Sequence, residues 1–86
     1  MEPGVALQEF LEFVVRGLVR HPEQAAVIHE TAGNRHVYRL RVEPSDMGRI
    51  IGRNGFTISA IRSLLEAAAQ RHRIKATLKL DESEQA

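Results

Sequence analysis

The run Ile50-Ile51-Gly52-Arg53-Asn54-Gly55-Phe56-Thr57-Ile58 sets two glycines around two polar residues, with apolar residues on both flanks. Glycines at both ends of a short polar turn remove the Cβ atoms that would hold a ligand away from the backbone. Such a loop suits a flat, charged partner such as a sugar-phosphate strand. Gly55 also stands where a helix begins, and the free amides and positive dipole end of a helix attract phosphate. Arg53 offers a charged donor to a phosphate oxygen, and Asn54 offers both a donor and an acceptor.

Other chemistries find little support. There is no GxxxxGK[ST], so the glycines do not form a nucleotide P-loop. Gly48 and Gly52 have the spacing of a membrane-helix contact, but Arg49 lies between them in a short mixed segment. His21, His29, His36 and His72 lack metal-ligand spacing and are expected in solvated or capping roles. Ser59 and Ser63 have no evident base. With no cysteine, disulfides and thiolate metal sites are excluded. No catalytic residue, metal or cofactor is expected.

Three helices and three strands must position the loop. Val5 to Arg20 is predicted helical, with Leu7, Phe10, Leu11, Val14 and Leu18 on one face and Phe13 and Val19 off it. His21-Pro22 ends it. Ala25 to Thr31 and His36 to Glu43 read as strands around an Ala32-Gly33-Asn34 turn, forming an antiparallel hairpin. Tyr38, Leu40 and Val42 point inward, whereas Arg39 and Arg41 face a partner or simply solvent. Pro44 opens a short helix, with Ser45 and Asp46 as capping residues, that runs through Met47 to Ile51. Phe56 to Arg71 forms a longer helix that buries Ile58, Ile61, Leu64, Leu65 and Ala68. Ile74 to Leu80 alternates as a last strand, and the acidic tail from Asp81 is expected to fray.

The order α-β-β-α-α-β includes a crossover between the second and third strands, which lets them lie parallel and should be right-handed. The expected fold class is α+β, a three-stranded mixed sheet with three helices on one face. The chain has 86 residues, enough for one domain, expected over 1–80 with a short tail at 81–86. No apolar run is long enough for a membrane span and no secretory signal is expected, so a cytoplasmic protein without a membrane partner is the default.

The net charge of +1 hides a polarity. From Arg35 to Lys79 there are ten Lys/Arg and three Asp/Glu, a net of +7; the remainder holds two Arg and eight acids, a net of −6. A basic half around the glycine loop fits a polyanionic partner.

Met47 to Leu65, MGRIIGRNGFTISAIRSLL, resembles the core of a KH domain, and the element order resembles the type II arrangement. Over nearly its whole length the chain is similar to small single-domain bacterial proteins of the KhpA (YlqC) type. KH domains clamp about four nucleotides with a GXXG loop. The resemblance therefore implies single-stranded RNA as ligand and an interface of Arg49, Ile50, Ile51, Gly52, Arg53, Asn54, Gly55, Phe56 and Ile58. Arg62 lies along the same groove or in solvent.

Phe56 departs from the Lys or Arg usual after the second glycine; it serves a base, a neighbouring side chain or a protein partner. The resemblance further implies a homodimer, or a heterodimer with a KhpB (Jag/EloR)-type protein. It also implies a role as RNA chaperone or post-transcriptional regulator, tied in some relatives to cell-wall and cell-length control. The competing expectation is a protein-docking subunit with incidental RNA contact.

Overall fold

The computed structural model describes residues 2–81. Helix α1 spans Pro3–Leu18, strands β1 and β2 span Ala26–Ala32 and Arg35–Arg41, α2 spans Met47–Ile51, α3 spans Phe56–Arg71, and β3 spans Lys75–Leu80. This is the α+β order expected. The sheet runs β1-β2-β3, with β1 and β2 antiparallel and β2 and β3 parallel. Ala32 pairs with Arg35 across a two-residue Gly33-Asn34 loop.

Alternation splits the sheet into two faces. Val27, Tyr38, Leu40 and Leu78 are buried against the helices, together with Leu7, Leu11 and Val15 of α1, Ile50 of α2, and Ile58, Ile61, Leu65 and Ala69 of α3. Each helix buries a single line of side chains, and that line corrects three expectations. In α1, Val15 is buried while Leu18, at the last turn, is exposed. Val19 packs against the core rather than facing solvent, while Phe13 stays 81% exposed. In α3 the buried line runs Ile58-Ile61-Leu65-Ala69, which turns Leu64 outward at 56% exposure. Adjacent positions on a helix differ by about 100°, so Leu64 and Leu65 cannot both face the sheet.

The first helix starts two residues earlier than predicted and ends at Leu18 rather than Arg20. The Glu2 side chain caps it by accepting from the Val5 amide at 2.9 Å. Its first turn rests on aromatic rings instead of aliphatic groups. His36 is 5% exposed, not solvated as expected, and its Nδ1 lies 2.8 Å from His29 Nε2. His29 stacks on Tyr38, whose hydroxyl donates to the Gly4 carbonyl at 2.8 Å. Burial, and then the Glu2 carboxylate, pushes that hydroxyl up to about 12, so it remains a donor at neutral pH. Burial, and then the adjacent His36, lowers the His29 pKa below the ordinary 6.5.

Asp46 is also redeployed. Its side chain makes no capping bond to α2; Glu43 instead accepts from the Ser45 amide ahead of the short Pro44–Asp46 turn. Asp46 is fully buried and accepts from the Arg20 and His21 amides at 3.1 and 3.0 Å. It thus ties the exit of α1 to the entry of α2. Burial alone would raise its pKa, but those two amides, with the His21 and Arg49 charges, hold it below the usual carboxylate value. Asp81 is bonded to the sheet: its carboxylate receives the Arg41 guanidinium at 2.8 Å, and its amide donates to the Leu40 carbonyl. The rest of the acidic tail lies outside the described residues.

Candidate nucleic-acid interface

Helix α2 stops because Gly52 adopts φ 76° and ψ 172°, a conformation that side chains avoid. Its amide still donates to the Gly48 carbonyl at 2.9 Å, closing the last turn. A Cβ at Gly52 would collide with the Thr57 side chain, so packing as well as dihedral angles excludes other residues there. Asn54 and Gly55 follow in left-handed conformations, at φ 57° and 75°. Asn tolerates this region better than most residues do. Nothing stands within 4 Å of where a Gly55 Cβ would lie, so the loop's outer side is open.

The loop delivers the chain into α3 with no side chain capping that helix. The Gly55 and Phe56 amides already donate to the Gly52 and Arg53 carbonyls, so what the loop offers an anion is the positive dipole end of a 16-residue helix. Arg53 and Asn54 are exposed at the tip. Arg49 is exposed one turn earlier, with its guanidinium 3.7 Å from the Asp46 carboxylate. Ile50 and Ile58 are core residues that anchor the two helices, and Ile51 is half-buried beside the loop.

Arg62 reaches toward β3 and donates to the Leu78 carbonyl at 3.4 Å. A shallow groove of about 80 Å³ lies there, between α3 and β3. β3 is an edge strand, a feature the loop-centred sequence reading did not use. The Lys75 and Asp81 amides turn toward the hairpin, donating to Asn34 and Leu40, while the Leu78 carbonyl turns outward. Backbone groups alternate along a strand, so Ala76, Leu78 and Leu80 present theirs at the open edge. The place of this strand at the end of the sheet was the signal that could have revealed it.

Phe56 is 70% exposed. It lies about 120° around α3 from Arg62, on the outward side shared with Leu64. The two groups therefore serve different surfaces.

His21, Glu43 and Asp46 bring potential ligand atoms within 4.8 Å of one another. Both Asp46 oxygens already receive backbone amides, and the Glu43 carboxylate receives Ser45. The cluster is a structural joint.

A family model for the KhpA/KhpB KH domain matches residues 8–80. The chain belongs to this KH-domain family. The family is not one of enzymes. The chain is 40% identical over 76 residues to the RNA-binding protein KhpA of Chlamydia muridarum, covering 88% of this chain and 97% of the relative. The KhpA of Thermotoga maritima is 38% identical, covering 71% of this chain and 81% of the relative. The KhpA of Streptomyces coelicolor is also 38% identical, with 76% and 82% covered. No solved structure matches the chain. Among the described residues, no helix is long and apolar enough to cross a membrane.

Proposed function

We propose that this chain binds short single-stranded RNA, laying the sugar-phosphate backbone across Gly52–Gly55. The observation that carries the reading is the loop itself: left-handed residues, an open outer side, and an uncapped α3 N-terminus behind exposed Arg53 and Asn54. Arg49 adds charge. The α3–β3 groove receives the bases, with Arg62 and the β3 edge beside them. The relatives' name, RNA-binding protein KhpA, supports this assignment.

The family likeness extends the proposal to a cytoplasmic RNA chaperone or post-transcriptional regulator, with 1–80 as its domain and 81–86 as its tail. A footprint of about four nucleotides binds weakly, and pairing two domains raises affinity through effective concentration. The partner is a second copy or a KhpB (Jag/EloR)-type protein. Phe56 and Leu64 offer that partner an apolar outer face on α3. The same exposure favours the second reading, a docking subunit whose RNA contact is incidental.

Replacing Arg53 and Asn54 by Asp, with both glycines kept, separates the two. The RNA reading predicts an intact fold, a retained protein partner and lost RNA crosslinking in cells. Undiminished crosslinking contradicts it.

A further inference from the structure

The face of the sheet turned away from the helices is basic in a way its own stability does not explain. Register places Arg35 directly opposite Lys75, and Arg39 directly opposite Lys79. Like charges opposite one another across strands are destabilising. A surface serving solubility alone would intersperse the two signs. Arg41 lies on the same face, two residues beyond Arg39. Glu30 answers Arg39 at 3.3 Å and Asp81 answers Arg41 at 2.8 Å, both in exposed pairs. Among the described residues, Arg35, Lys75 and Lys79 have no acidic partner.

We infer that this face is a second contact surface for the RNA held by the loop, reading phosphate charge rather than sequence. Side chains two apart on one strand stand about 7 Å apart, and neighbouring strands about 4.8 Å, so the cations form a flat lattice. Ile28 and Val37 lie half-buried between them, outside the main core, and give sugars or bases an apolar bed. The inference rests on the RNA reading above, because an anionic strand already engaged at the loop is the polyanion at hand. A strand longer than the loop's footprint wraps past β3 and onto this face, so the second surface adds affinity only for long RNA.

The test replaces Arg35, Lys75 and Lys79 together by Gln and measures binding to two probes over a salt series. The probes are a strand of about four nucleotides, matching the loop, and one of about 20 nucleotides, long enough to span both surfaces. The short strand binds as before. The long strand loses roughly tenfold or more in affinity, and its log–log salt slope falls by about 2, near 0.7 per cation removed. Thermal stability holds or rises, because the repelling pairs are gone.

Unchanged long-strand affinity and slope overturn the inference, as does a proportional loss for the short strand. Wild-type capture of phosphatidylglycerol vesicles, lost in the variant while RNA binding is not, also overturns it by assigning the face to a lipid surface. The Arg53→Asp, Asn54→Asp protein is run in parallel. Loss of short-strand binding there, with the sheet variant holding the long strand as tightly as wild type, defeats this inference alone; retention of short-strand binding there defeats the loop reading itself.

Discussion

Gly52 and Gly55 look equivalent in the sequence but do different physical work. Gly52 occupies a dihedral region open essentially to glycine, and its missing Cβ is where Thr57 packs. Gly55 is left-handed but faces open space. Gly52→Ala should therefore cost about 1–3 kcal/mol plus the displacement of Thr57. Gly55→Ala should cost about 1–2 kcal/mol. Urea denaturation of the two variants checks the order, and equal losses would show that Thr57 yields freely. Residue-level reasoning from sequence located the motif and the exposed aromatic after it. It could not place Phe56 on the outward side of α3 rather than the Arg62 side, because that depends on which line of the helix meets the sheet.

At the scale of elements, periodicity located α1, β2, α3 and β3, because each buries one face, while α2 was legible from Pro44 at its entry. Periodicity could not choose between neighbours of equal apolarity. Val14 and Val15, or Leu64 and Leu65, differ only in which one the sheet receives. Nor could it foresee that His29 and His36 would bond each other beneath α1, since the contact needs the hairpin closed. That contact makes the docking of α1 sensitive to acid. The groups facing the pair are Tyr38 from β2 and Glu2 at the helix start.

The folded-state pKa of His29 is lowered, so the unfolded chain binds more protons in acid. Its contribution is intact above about pH 6.5, the unfolded value, and is lost as pH falls through that value toward the lower folded one. A protonated His29 would also stand against the positive end of a helix. Melting temperature should therefore drop as pH falls below about 6.5, with amide exchange in the first turn of α1 rising in step. His29→Gln should flatten that dependence; identical slopes for both proteins would remove the pair from the account. Asp46 carries a related lesson. It was read as a local cap, yet it bonds two amides 25 and 26 residues away. A carboxylate that joins two segments resembles a cap in sequence because both needs select the same residue.

Over the whole molecule, charge and topology converge on a polyanion. The basic half of the chain supplies the loop, the α3–β3 groove and the outer sheet face, while the acidic half supplies α1 and β1. Helix α1 covers the sheet, packing Leu7, Leu11 and Val15 into the core.

The central claim is that RNA lies on the Gly52–Gly55 loop and along the β3 edge. It is tested most directly by following backbone amides by NMR while a short single-stranded RNA is added. The account predicts the largest shifts at Gly52–Phe56 and at Ala76, Leu78 and Leu80, with α1 unmoved. Shifts confined to the outer face of α3 around Leu64, or absent from the loop at saturating RNA, would contradict it.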